Sequence, residues 1–545
     1  MKSLLGKEKR KLEKGIAAEA KSKPKFFWAH ARRKLKTKVG VSPLLSNPAD
    51  KDSLKFEDSE KANILQTQFS SVFTKEPEGN IPRIRTRCHS KILNFIVSEK
   101  AVKDLIDKLN PDKSVGPDNI HARMLIELKE VLAKPLAFIF NETLRRGKIP
   151  RDWKRANVSP IFKKGSRNLP ENYRPISLTS IVCKMMETLV RDQLMQHLQD
   201  ENLFSPKQHG FISGRSTVTQ LLNYLDECIQ NTVDGHVVDA IYMDFAKAFD
   251  TVPHRRLIGK MEAYGISGEI LEWVKDYLHE RTQTVLVNGE KSYTAPVLSG
   301  IPQGTCLGPL LFVIYINDLL DEIDSDGFLF ADDTKIFRKI VSQEDSSILQ
   351  SDIDKLQKWS EKWLLKFHPD KCHVLSLGKE ERTVHTERYS ICGREMDHVF
   401  EEKDLGVLID SGLTFEEHIL SKVQKANVMV GLIRRTFSYL DPKTFLKLYT
   451  AFVRPHLEYA VAVWSPHLMK HIEMIEKVQI RATKLVDGFG NLTYQERLEK
   501  LQIPTLAYRR LRGDVIEIYK HFHRYDQQVL SHSIARKTKI DFNAV

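Results

Sequence analysis

The stretch GFLFADDTKIFRKI, residues 327–340, closes an apolar, aromatic run on two adjacent carboxylates, Asp332 and Asp333. Neighbouring negative charges repel, and aspartate is disfavoured inside a strand. Two readings are open from these residues. One is a solvated turn between two strands, where Asp is common. The other is a metal site, where a divalent cation removes the repulsion. In either case the flanks predict a β-hairpin with the doublet at its tip.

A second acidic position lies upstream. VVDAIYMD, residues 237–244, is β-branched and apolar, which predicts a buried strand ending at Asp244. If it pairs with the hairpin, cross-strand neighbours about 5 Å apart put Asp244, Asp332 and Asp333 on one edge. Three acids there are costly without cations. With two Mg²⁺ about 3.5–4 Å apart they form a phosphoryl-transfer site. Oxygen-only ligands favour Mg²⁺ or Mn²⁺ over zinc. An unrelated strand end and turn is the bland alternative. Between the acidic elements, LSGIPQGTCLGPLLF sets glycines before a helix. That pattern predicts close backbone approach and a helix N-terminus that favours phosphate.

The chain has 545 residues, enough for two to four lobes, and its hydrophobic content of 41% describes a folded protein. No apolar run reaches membrane-spanning length, and the N-terminus lacks a secretory signal. Six cysteines stand singly, at 88, 183, 228, 306, 372 and 392, with no CxxC pair. A reducing compartment is expected, hence an intracellular location, nucleus or cytoplasm. Of the net charge of +13, residues 1–40 hold fourteen Lys/Arg against three Glu. Such an arm suits a polyanion, nucleic acid above all, or else is a solvated helical linker.

Along the chain, a basic helix broken at Pro24 precedes a helix over DSEKANILQTQFSSVF, capped by Asp58 or Ser59. Helices follow from Ser98 to Arg146, broken at PDKSVGPDNI, and then a strand over ANVSPIFKK. Further helices are expected near 179–200, 253–264, 268–280 and 346–364, and through PLLFVIYINDLLDEI. RTQTVLVNG reads as a strand ending at the turn Asn288-Gly289. Past 412 the pattern is almost wholly helical. The whole predicts an α+β domain followed by an all-α one.

Six stretches, in order, carry a resemblance. They are NYRPISLTSIVCKMMETLV, QHGFISGRSTVTQLL, MDFAKAFDTVPH, SGIPQGTCLGPLLFVIYINDL, FADDTK and WLLKFHPDKCHVLSLG. Together they resemble the reverse transcriptases of non-LTR (LINE-type), jockey-like retrotransposons, strongly over about 150–410 and more weakly to about 525. The resemblance implies a right-hand polymerase, its fingers and palm holding an antiparallel sheet, followed by an all-α thumb-like region. It also implies RNA-directed DNA synthesis from dNTPs on an RNA template and DNA primer, with two Mg²⁺ (Mn²⁺ as substitute). The expected parts are a basic connector over 1–50, a mostly helical extension over 51–143, fingers and palm over 144–410, and a helical thumb over 411–545. KDLGVLID resembles the primer-grip region.

By the same resemblance, Asp244 and Asp332 are principal metal ligands, Asp333 a third carboxylate, and the Phe245 carbonyl a further ligand. Lys163 and Arg174 contact the triphosphate, as point charge and bidentate fork; Lys164 competes with Lys163. Gln303 and Gly304 pack on the nascent base pair and template. Phe249 falls where an aromatic ring excludes the ribose 2′-OH, or is a core residue. Lys371 matches a lysine proposed to protonate pyrophosphate, or is a phosphate-binding or surface lysine. His467 and His471 have zinc-compatible spacing but no further ligand nearby. Full-length relatives carry an apurinic-like endonuclease, which nothing here supplies, so the chain reads as a partial open reading frame. A catalytically silent nucleic-acid-binding derivative is the competing class.

Overall fold

The computed structural model describes residues 2–35, 40–92, 95–378 and 388–524. The strands that position the site are, in chain order, β1 (Arg155–Phe162), β2 (Tyr173–Leu178), β3 (Val237–Met243), β4 (Thr282–Val287), β5 (Asp326–Phe330), β6 (Asp333–Ile340), β7 (His373–Leu377), β8 (Asp397–His398), β9 (Glu401–Asp404) and β10 (Val407–Asp410). They sit among many helices, so the chain is α+β, as its pattern predicts.

Strand β3 is the axis of a five-stranded sheet ordered β8-β7-β3-β6-β5. All seven of its residues are buried. Alternate side chains point to opposite faces of a strand, and here each face meets a core. Ile241 and Met243 join one core; Val238, Ala240 and Tyr242 join the other. A strand buried on both faces explains why 237–243 reads as a continuous apolar run. Its one charged residue, Asp239, is satisfied by Ser376 Oγ (2.6 Å) and Tyr389 OH (2.8 Å), which both donate to its carboxylate. Both neighbours of β3 are antiparallel, with Thr334 opposite Met243 on β6 and His373 opposite Tyr242 on β7.

The second sheet, also five-stranded, runs β2-β1-β4, continues into a short strand at 290–291, and has a fifth strand at 295–296 paired with β4. Asn288 and Gly289 make the expected two-residue turn, with φ of 51° and 99°. Val158, Tyr173, Val285 and Val287 pack there against Leu65 and Phe69.

Helices fall where the periodicity puts them, for example Ile181–Asp200, His254–Ala263, Gly268–Leu278 and Gln343–Trp363. Two expectations are corrected. The helix over 58–70 is capped by Glu57 with no side-chain bond; Asp58 instead pairs with Lys61 at 2.5 Å. The helix of PLLFVIYINDLLDEI stops at Ile316, because Asn317 turns its amide to Leu203, Ser205 and Tyr264.

The basic N-terminal segment forms α1 (Lys2–Ala18) and α2 (Pro24–Leu35), which lie on the C-terminal helices. Phe27 stacks on Phe452 with ring centres 3.9 Å apart and on Phe437 at 6.0 Å. The buried Glu13 carboxylate accepts from the Ser438 N–H at 2.9 Å, and His30 meets the Thr436 carbonyl at 3.0 Å. Lysines and arginines therefore coat the outer side of a docked element rather than a free arm. Phe27→Ala is expected to cost about 3–5 kcal/mol, measured by denaturant unfolding of the full chain.

Candidate active site

The acidic doublet is both a turn and part of a cluster. Ala331 and Asp332 form the two-residue turn between β5 and β6, and Ala331 takes φ +55°. Asp333 opens β6, and the last register pair is Thr334 with Met243. One step beyond that pair the register carries Asp333 toward Asp244, whose negative charge acts on it. The pairing expected between 237–244 and the hairpin is therefore present.

These acids line an open cleft of about 1240 Å³. The β1–β2 hairpin forms another wall: the Lys163 N–H donates to the Asn172 carbonyl at 2.8 Å, and Arg174 follows on β2. The cleft thus collects Lys163, Lys164, Arg174, Asp244, Phe245, Phe249, Gln303, Asp332, Asp333 and Lys371. Gly304 is the one sequence-expected site residue outside its lining. At φ +98° it lies against β2, where a β-carbon would stand 3.0 Å from the Ser177 carbonyl oxygen.

Charge is unbalanced in this cleft. Burial first, then the negative charge of Asp244, raises the Asp332 carboxyl above the ordinary range. Asp333 is pushed up to about 7 by burial, then by Asp332, Asp244 and Asp404. Its side chain reaches solvent, which screens part of this effect, but the direction follows from four acids at one sheet end. On the opposite wall, burial and the charges of Arg174 and Lys371 hold the Lys163 ammonium below its usual range. Lys371 Nζ donates to Asp244 Oδ2 at 2.7 Å.

The donor set suits a hard divalent cation, since it offers only oxygen and its like charges oppose one another. Among the described residues, however, no three His, Cys, Asp or Glu side chains meet as a closed metal-binding group. Phe245 is stacked on Phe367 at 4.2 Å, and the two bonds joining these segments use the carbonyls of Asp244 and Lys366 rather than its own. His471 is buried and faces Glu416 at 3.3 Å, with no zinc set around it among the described residues.

With this geometry in hand, residues 161–408 match the family model described as "Reverse transcriptase (RNA-dependent DNA polymerase)". Over those residues the chain is similar to a reverse transcriptase domain. The chain is 29% identical to the "RNA-directed DNA polymerase from mobile element jockey" of Drosophila melanogaster, over 81% of this chain and 49% of that one. It is 26% identical to the "Probable RNA-directed DNA polymerase from transposon BS" of the same species, over 86% and 53%. It is 24% identical to the "Retrovirus-related Pol polyprotein from type-1 retrotransposable element R1" of Bradysia coprophila, over 67% and 36%. The chain spans about half the length of the first two. No described helix is long and apolar enough to cross a membrane.

Within residues 161–408, Phe249 is half-buried and braced by Phe312, with ring centres 4.4 Å apart. Its carbonyl accepts from Ile301 N–H at 2.7 Å, which fastens the glycine-rich loop. One expectation about that loop is corrected. The following helix does not offer its N-terminus to phosphate, because the buried Glu187 carboxylate already accepts from Cys306 N–H (2.6 Å) and Leu307 N–H (3.3 Å).

Asp250, inside FAKAFD, is a further site residue that the sequence pattern does not single out. Its Oδ1 accepts from Gln303 Nε2 at 2.9 Å, so it orients the very amide expected at the nascent base pair. A buried ion pair between Lys335 of β6 and Asp404 of β9 was also missed. No local signal marks either partner, since each pair joins residues far apart in the chain.

Burial pushes the Asp250 carboxyl up to about 6. The native state then binds a proton more readily than the unfolded chain, so ionising Asp250 costs stability as pH rises from about 4 to 6. Asp250→Asn keeps an acceptor for Gln303. It should flatten that slope and raise stability at pH 7 by up to about 3 kcal/mol, read by denaturant unfolding across pH 4–7.

Proposed function

We propose that the chain is an RNA-directed DNA polymerase of the non-LTR retrotransposon type, joining deoxynucleotides to a primer 3′-OH on an RNA template. One observation carries the reading: two paired strands bring Asp244 and the Asp332–Asp333 doublet into one cleft with Lys163 and Arg174. In right-hand terms the β3 sheet is the palm and the β1–β2 sheet the fingers, within 144–410. Residues 411–545 are the thumb-like region, the β9–β10 hairpin is the primer grip, and 1–50 and 51–143 are the basic connector and helical extension.

Lys163 and Arg174 bind the triphosphate; an incoming polyanion offsets the burial and the neighbouring cations that together depress Lys163. The Phe249 ring, backed by Phe312, walls off the space beside the sugar 2′ carbon, so a ribose hydroxyl does not fit. Gln303, steadied by Asp250, and Gly304 support the new base pair. Asp244, the Phe245 carbonyl, Asp332 and Asp333 would hold two Mg²⁺ or Mn²⁺ ions, whose Lewis acidity activates the 3′-OH and neutralises pyrophosphate. Lys371, whose ammonium now neutralises Asp244, exchanges that partner for the leaving pyrophosphate and gives it a proton. Positioning and electrostatics supply most of the rate.

The test is primer extension on poly(rA)/oligo(dT) with Mg²⁺ and dTTP. Wild-type chain should incorporate dTMP, and Asp332→Asn should lose more than about 10²-fold. No incorporation by folded wild type would favour the silent binding protein instead. Phe249→Ala should admit ribonucleotides, seen as a raised ratio of UTP to dTTP incorporation; an unchanged ratio would make Phe249 a core residue only.

A further inference from the structure

The segment Lys207–Gly210, from KQHGFISGRS, has no part in the reading above, yet it grips the hairpin that carries Asp332. It runs along β5: the His209 N–H donates to the Leu329 carbonyl at 2.8 Å, and the Leu329 N–H donates to the Lys207 carbonyl at 2.9 Å. Between them Gln208, wholly buried, turns its amide toward the hairpin tip. Its Oε1 accepts the N–H of Ala331 at 3.0 Å and that of Gly210 at 2.7 Å. A β-carbon on Gly210 would run into the Ala331 nitrogen, so this approach needs glycine.

Two features show that the oxygen is the working end of this amide. Gln208 Nε2 is buried without a hydrogen-bond partner among the described residues, an arrangement that costs stability. Ala331 holds φ +55°, a conformation that residues with a β-carbon avoid unless neighbours enforce it. The Gln208 oxygen supplies that enforcement at the one backbone N–H directly before Asp332.

From this we infer that Gln208 is a positioning residue for the Asp332 carboxylate. Its oxygen locks the Ala331 turn, and the locked turn aims Asp332 toward Asp244. The catalytic consequence rests on the polymerase reading; the hydrogen bond and its effect on the turn do not.

The experiment uses the full chain with Gln208→Met, which keeps length and removes the acceptor, and Gln208→Glu, which restores an acceptor. Amide hydrogen exchange at Ala331 and the Mg²⁺ dependence of primer extension are read together, with the thermal midpoint and template–primer affinity as controls. In Gln208→Met, Ala331 should exchange faster, and the half-saturating Mg²⁺ should rise about 10-fold. Saturating Mg²⁺ should recover most of the rate, with affinity for template–primer unchanged. Gln208→Glu should restore Ala331 protection. The inference is overturned if Gln208→Met leaves Ala331 exchange unaltered, or if activity falls equally at every Mg²⁺ concentration in step with lost folded protein. If wild type incorporates nothing, the polymerase reading fails on its own, and the exchange measurement still decides whether Gln208 holds the turn.

Discussion

The antiparallel register of β3 against β6 is the constraint on which the rest depends. It sets Thr334 beside Met243 and so brings Asp244 to the doublet, although the acids repel one another. The register survives this because β3 is buried on both faces. A slip by one residue would send Ile241 and Met243 into the core that Val238, Ala240 and Tyr242 now fill, and the reverse. Repulsion among partly hydrated acids is small beside the repacking of two cores.

Around that register the molecule arranges counter-charges at increasing depth. Lys371 meets Asp244 at the cleft surface, and Lys163 and Arg174 stand on another wall. Deeper down, Lys335 on β6 joins Asp404 and lies over the Tyr224 ring at 4.2 Å, which ties the sheet to the β9–β10 hairpin. Buried as it is, this tie is little screened by salt, unlike the surface pairs.

Much of this was legible in the residues, and the reasons are local. Unbroken β-branched and aromatic apolar runs mark β3 and the hairpin, and Asn288-Gly289 marks a turn with positive φ. The helix at 308 ends sooner than its apolar composition suggests, because composition cannot reveal that Asn317 bonds to three groups from other segments. The long-range contacts were invisible for the same reason. Gln208 meets Ala331 across 123 residues, and Glu187 meets Cys306 across 119. A glutamine before a histidine, or a glutamate inside a helix, carries no local mark of such a partner. The basic lead was likewise read from its charge, whereas its fold follows from the few apolar residues among the lysines.

Those apolar residues have a temporal consequence. His30 bonds to a carbonyl 406 residues further on, and Phe27 needs rings of the same region. At about 5–20 residues per second, a nascent chain waits roughly 20–80 s between making these two helices and making their seat. For that interval a cationic, partly greasy hairpin trails from the ribosome unsheltered, and its aromatic ring is open to whatever chaperone or polyanion is at hand.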